Sequence, residues 1–403
     1  MNTLLTTGEV VEKKVDNSIA FFRLAFRPFF LLGSLFSIIS LLLWSLMISG
    51  DLKLVLYGGQ LWWHMHEMLF GFVAAIIVGF LLTAVQAWTG IASVKGASLA
   101  PLVILWLLGR ICLFLPTVLP NWFIAIVDLS FLPISAAVLA YPIIKIKLWR
   151  NIIFVPLLLV MTYINATMHY AVASQQLASI NAAGTSMTLL VTLLICVMGG
   201  RVFPMFTANG TQTPRVPAIN WLERLAIGSV FLAMLSSFDL LKLSSGIEAN
   251  IFFIAALAHS VRAFRWRIWV TFKTPLVWSL HLGYWSIPLG LMMYGLAEVT
   301  DIVSRSQALH TLTVGAMSVT ILAMISRISL GHTGRKIETD KVMSFAFMAI
   351  FGAFLVRVFG LYWFESYTQV IFAAVVLWVI AYGCFVIRYL PILSKPRIDG
   401  NPG

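Results

Sequence analysis

Charged side chains are scarce: Asp, Glu, Lys and Arg make up 10% of the 403 residues, where a soluble domain carries about 25%. A soluble globular fold is thereby excluded. Cysteine is scarcer still, and Cys112, Cys196 and Cys384 each stand alone on an apolar run. That spacing excludes a disulfide framework, a zinc ribbon and covalent haem attachment through C-x-x-C-H, and leaves buried thiols as the default. Ten-residue segments of alternating polarity are missing, which excludes an outer-membrane β-barrel. Long polar connections are missing too, so no loop holds a folded domain and all function must sit among the apolar segments.

Hydrophobic residues make up 60% of the chain, in runs of about 20, the length a helix needs to cross about 30 Å of hydrocarbon. The runs predict twelve transmembrane helices, at 29–49, 62–85, 98–115, 121–144, 151–172, 183–206, 221–241, 248–267, 275–298, 307–330, 341–361 and 367–391. The expected fold is an all-α integral membrane protein. Residues 1–27 read as a cytoplasmic N-terminal segment with an interfacial FRLAFRPFF, 28–392 as the twelve-helix domain and 393–403 as a cytoplasmic tail. Residues 1–20 mix charges without a continuous apolar core, so the first span is expected to act as an uncleaved anchor.

The net charge of +12 is spread over short loops rather than gathered on one solvated face, which argues against nucleic acid as a partner. Membrane topology accounts for it better. With both termini cytoplasmic, all Lys and Arg fall inside except Lys53, Arg110, Lys242, Arg305 and Arg357, as retention of positive charge in the cytoplasm requires.

A shift of 244 residues lays His66–Gly90 on His310–Gly334 without a gap, and five of the 25 positions are identical. Four of the five matches fall on polar and glycine positions: His66 with His310, Gly71 with Gly315, and Thr89-Gly90 with Thr333-Gly334. Span six ends similarly, in GGRVFPMFTANG. Recurrence at spans two, six and ten suggests three four-helix units about an axis, a parallel repeat.

Ionisable groups at membrane depth cost free energy and are functional candidates by default. The topology puts His64, His66 and Glu67 at the outer start of span two, His310 at the outer start of span ten, and His169 at the outer end of span five. His259, His281 and His332 lie deeper or towards the cytoplasm. Two helices offering imidazoles at one depth supply what a haem needs, two neutral nitrogens sealed from water. Residues two apart on a helix point about 200° apart, so His64 and His66 cannot share a metal. One can face a haem and the other a second metal. Neutral imidazole also suits copper, with soft sulfur near in Met65, Met68, Met292 and Met293. The bland alternative for each histidine is a hydrogen bond or an interfacial position, and for each methionine simple packing. His332 lies about 33 Å along the helix from His310, too far to share an ion with it.

Arg110 and Asp128 stand level in the hairpin of spans three and four, which makes an ion pair the plain reading. A haem propionate held by the planar fork of Arg110 is the functional one. Glu67 could relay protons or simply favour the positive helix end. Arg201, Arg327 and Arg335 read as boundary residues, with a basic anion pocket as the alternative.

Several of these strings resemble those of the NnrS family: FRLAFRPFF at 22–30, WWHMHEMLFGF at 62–72, GFLLTAVQAWTG at 79–90, LWLLGR at 105–110, GGRVFPMFT at 199–207, PLVWSLHLGYW at 275–285 and HTLTVGAMSVTILAMISRISLGHTGR at 310–335. The resemblance implies a haem- and copper-containing bacterial inner-membrane protein of the nitric oxide response, associated with denitrification and nitrosative stress. It carries over His64, His66, His281, His310 and His332, with Arg110, Arg201, Arg327 and Arg335. Twelve helices in three units are also similar to the catalytic subunit of haem-copper oxidases. The likeness breaks at span six, which has no histidine, and at the histidine pair, which sits on span two instead of span ten.

The expectation is a b-type haem between spans two and ten, with copper close by, binding or reducing nitric oxide. His64, His66, His310 and Arg110 are the cofactor candidates, His281 and His332 further metal candidates, and Glu67 the candidate proton relay. The electron donor is open, and the lipid bilayer is the other partner. The alternative is a transporter or handling protein for copper, haem or an anion, without redox turnover.

Overall fold

The computed structural model describes residues 19–238 and 243–400, apart from the side chains of 177–179. Residues 1–18 of the expected N-terminal segment, the last residues of span seven, Lys242 and 401–403 of the tail lie outside the described residues. All regular structure in the described part is helical, and each predicted span falls on a helix. In chain order these are α1 (Phe26–Ser49), α2 (Gly59–Thr89), α3 (Ala100–Cys112), α4 (Asn121–Lys145), α5 (Phe154–Ser174), α6 (Leu177–Thr211), α7 (Asn220–Ser236), α8 (Ser245–Arg265), α9 (Pro275–Val299), α10 (Arg305–His332), α11 (Lys341–Phe359) and α12 (Tyr367–Leu393).

Nine helices among the described residues are long and apolar enough to cross a membrane. The exceptions are α3 and α7, which are too short, and α9, whose Ser, His, Gly and Tyr residues dilute its hydropathy. Helix ends follow local chemistry. Ser304 and Ser366 form reciprocal caps with Gln307 and Gln369 that start α10 and α12, satisfying donors the first turn leaves free. Gly50 and Gly90 close α1 and α2 in the left-handed conformation that glycine adopts without strain.

Burial separates inner from outer helices. In α2 and α10, 83% and 72% of the most apolar stretch is buried, and in α6 50%, against 39–44% in the other apolar spans. One of the three links the other two: α6 packs on α2 and on α10. The outer helices pack in chain order around them, and α12 closes on α1. The FRLAFRPFF segment takes part in that closure, because buried Arg27 donates to the carbonyls of Leu393 (2.9 Å) and Lys395 (2.7 Å).

Two of the inner helices share a local departure. The α-helical ladder of α2 gives way to π-helix at Glu67–Val73, and that of α10 at Thr311–Ser318. Glu67 and Thr311 are equivalent under the 244-residue shift, so the two π segments begin in register. A π turn re-aims the side chains around it and recurs at functional sites.

Candidate functional site

His64 and His66 stand just before the π segment of α2, and their opposite orientation divides the site in two. His64 faces a cavity of about 750 Å³ that His310 also lines. His66 faces away from it, into a buried polar network with α3, α4 and α5.

The cavity has one apolar wall, including Leu41, Trp44, Phe72 and Trp378, and one hydroxyl-rich wall, including Thr185, Thr188, Ser236 and Tyr294. Trp44 stacks on the His64 ring at 4.3 Å and 12°, which holds its plane. His310 Nδ1 lies 2.7 Å from the Ser306 carbonyl. A carbonyl only accepts, so Nδ1 carries the hydrogen and Nε2 the lone pair, the tautomer that offers a nitrogen ligand. His64 Nδ1 is buried without a hydrogen-bond partner. At one end the cavity is lined by Arg305, Arg357 and Tyr367. Arg305 pairs with buried Glu298 at 2.7 Å while its own side chain is 64% exposed, and Arg357 donates to the Tyr367 hydroxyl at 2.7 Å.

The network on the other face is built round Asp128. Arg110 bridges Glu67 and Asp128 as an ion-paired triad, all three buried. Asp128 Oδ2 lies 3.0 Å from His66 Nε2 and 3.1 Å from His169 Nε2, and accepts from Asn165 Nδ2 at 2.7 Å. His66 Nε2 is also 3.0 Å from Asn165 Oδ1, and His169 Nδ1 is 3.1 Å from the Tyr57 hydroxyl. Trp62 stacks on His66 at 4.5 Å and 8°. Gly71 permits this packing: a Cβ there would meet Glu67, Phe36 and Arg110, and its carbonyl accepts from Trp106 Nε1 at 2.9 Å. His66, Asp128 and His169 each offer one ligand atom within 4.8 Å of the others.

These placements revise several expectations. Arg110, expected as a cofactor contact, does not line the cavity, because two buried carboxylates take its guanidinium. The ion pair with Asp128 is there, with Glu67 added. Glu67 likewise belongs to the network, not to the cavity. The repeat aligns His66 with His310, yet His64 is the histidine that shares the cavity with His310. His281 is buried apart from both groups, 2.8 Å from Thr207 Oγ1. His332 lies at the far end of α10 beside Phe26, and its carbonyl accepts from Arg397. Met65 and Met68 line the cavity, Met293 sulfur lies 3.3 Å from Thr311 Oγ1, and Met292 is exposed. Arg327 sits over the Phe206 ring at 3.8 Å.

His259 has the bland role: it donates to the Ala226 carbonyl (3.0 Å) and faces the Tyr284 hydroxyl (2.6 Å), beside an Arg262–Glu223 pair. Sequence reasoning missed Tyr57, Asn165, Arg305 and Arg357 as members of the two groups. The four-residue spacing of Asn165 and His169, which aligns them on one helix face, was a usable signal. So was the placement of Arg305 and Arg357 among the few outer cations.

No curated protein matches the chain in sequence. A family model described as NnrS protein matches residues 20–397, nearly the whole chain. That match, with nine apolar helices long enough to span a bilayer, makes the protein a multi-pass membrane protein that belongs to the NnrS family, and membership supports a role in the response to nitric oxide.

Proposed function

We propose that the protein binds nitric oxide at a b-type haem held noncovalently in the cavity between α2 and α10. The observation that carries this reading is the pairing of two histidines on one cavity of about 750 Å³, a size within the usual range for cofactor sites. The lone pair fixed on His310 Nε2 and the unpartnered nitrogen of His64 suit iron ligation, and nitric oxide would take the place of one of the two imidazoles. The apolar wall suits the porphyrin face, and Arg357 suits one of its carboxylates, with Arg305, already paired with Glu298, at the same end. Ferrous haem supplies the affinity for nitric oxide, a gas that partitions into lipid.

The protein's own groups set the conditions. Trp44 holds the His64 ring, Ser306 holds the His310 tautomer, and buried Phe72 and Trp378 exclude water. Glu67 is tied to Arg110 on the far face of α2, which favours binding over a proton-coupled reduction routed through this residue. On the same reading the protein lies in the bacterial inner membrane with both termini cytoplasmic. With the short α3 and α7 and the less apolar α9 counted as crossings beside the nine longer spans, twelve helices form three units of four, and copper is the second cofactor, in a denitrification or nitrosative-stress setting.

The test is an absorption spectrum of the detergent-purified protein, oxidised, dithionite-reduced and then exposed to nitric oxide. We expect haem bands that shift with the gas and are lost or altered in His64→Ala and His310→Ala, and unchanged in His281→Ala. A haem-free wild type, or bands indifferent to both cavity variants, would overturn the reading. Metal uptake into vesicles without bound haem would put a carrier in its place.

A further inference from the structure

We propose that the network around Asp128 is a copper(I) centre, with His66, His169 and Asp128 as ligands, separate from the cavity and on the opposite face of α2. It rests on the proposed function only for the identity of the metal and needs no haem.

Four atoms with lone pairs converge here: His66 Nε2, His169 Nε2, Asp128 Oδ2 and Asn165 Oδ1. Hydrogen bonding alone serves them poorly. His66 Nε2 has at most one hydrogen for two oxygens that both lie at 3.0 Å, and His66 Nδ1 is buried without a partner. A cation bound to Nε2 would satisfy the crowded side, with the ring hydrogen moved to Nδ1. On His169 that hydrogen meets the Tyr57 hydroxyl at 3.1 Å, the outer-shell contact that orients a ligating imidazole. Trp62 fixes the plane of the His66 ring.

With both carboxylates ionised, charge favours a monovalent ion. Counted as ionised, Glu67 and Asp128 against the single Arg110 leave one negative charge in a region where every member is nearly inaccessible. A monovalent ion brings the sum to zero, whereas a divalent ion leaves a net positive charge in an apolar interior, where uncompensated charge is costly. Imidazole accepts copper among several ions, so the choice of copper is carried over from the proposed function and not from the ligand set; no thiolate or thioether is among the ligands, which leaves nitrogen and oxygen alone to hold the ion. Met65 and Met68 face the cavity instead.

The experiment measures metal content and the copper X-ray absorption edge on anaerobically purified full-length protein, wild type and His169→Ala, His169→Gln and His64→Ala. The wild type is expected to hold about one copper per chain, monovalent, with nitrogen and oxygen neighbours and no sulfur. Copper should fall at least about tenfold in both His169 variants, with haem absorption intact as the sign of folding. His64→Ala should lose haem and keep copper. Copper retained in both His169 variants, sulfur in the absorption fine structure, or zinc as the resident metal would overturn the proposal. The wild-type fine structure decides the ligand type even if the variants do not fold. A protein with copper but no haem would overturn the cavity reading and leave this one standing.

Discussion

Helices α2 and α10 use one backbone device for different chemistry. Each enters from the same end with a histidine immediately before a π segment, and each π segment places a glycine, Gly71 or Gly315, against neighbouring side chains. At the first π position α2 carries Glu67, which demands Arg110 and draws in Asp128. At the equivalent position α10 carries Thr311, whose hydroxyl donates to the Gln307 carbonyl (2.9 Å) and contacts Met293 sulfur (3.3 Å). The π segment thus opens a polar position at a fixed depth. The residue type placed there decides whether a charged network or a neutral contact grows around it.

The largest way to break the contrast is Arg110→Ala, which strands two buried carboxylates. Breaking a buried pair by removing one partner costs about 3–5 kcal/mol, so this variant should lose most of its thermal stability in detergent and its copper. Arg110→Lys keeps the charge without the fork that reaches both carboxylates and should fall between. A melting temperature for Arg110→Ala within a degree or two of wild type would show that the triad is not what holds α2 to α3 and α4.

Next in size are the paired glycines. An added Cβ at Gly71 meets Glu67, with Phe36 at 2.8 Å and Arg110 at 2.9 Å; at Gly315 it meets Phe354 at 2.9 Å and Ser286 at 2.9 Å. Overpacking of this kind costs about 1–3 kcal/mol. Gly71→Ala should lie at the upper end and lower copper before haem, because it strikes the ion-paired triad. Gly315→Ala should shift the haem bands first, because its π segment lines the cavity through Thr313, Val314 and Met317. Thermal melts and metal content on the two variants side by side separate these outcomes, and identical losses in both would refute the division of labour.

The helices were legible in the sequence because apolar runs of about 20 residues are long-range signals that no local detail disturbs. Partnering was less so. A single residue rotates a side chain by about 100°, so the choice between His64 and His66 at the cavity turned on an orientation that the interrupted ladder re-aims; the repeat aligns His66 with His310, whereas His64 lines the cavity beside it. Asp128 was read as a partner of Arg110, but its contacts with His66 and His169 depend on α4 and α5 packing beside α2, which spacing along the chain does not encode. Arg305 and Arg357 were visible as outer cations, and only the closure of α10, α11 and α12 round the cavity brings them to one end of it.

The smallest effect belongs to the neutral side of the comparison. Thr311→Val keeps the shape and removes a hydroxyl that donates along its own helix and touches a thioether. Since the Gln307 carbonyl retains its backbone setting, the loss should be about 1 kcal/mol or less, with haem and copper both unchanged. Glu67→Gln at the equivalent position removes a charge from the triad and should lower copper while sparing haem. If Thr311→Val instead cost as much as Glu67→Gln, or altered the haem spectrum, the π segment of α10 would be shaping the cavity through its polar side chain as α2 shapes the network, and the contrast between the helices would be one of ligand rather than of charge.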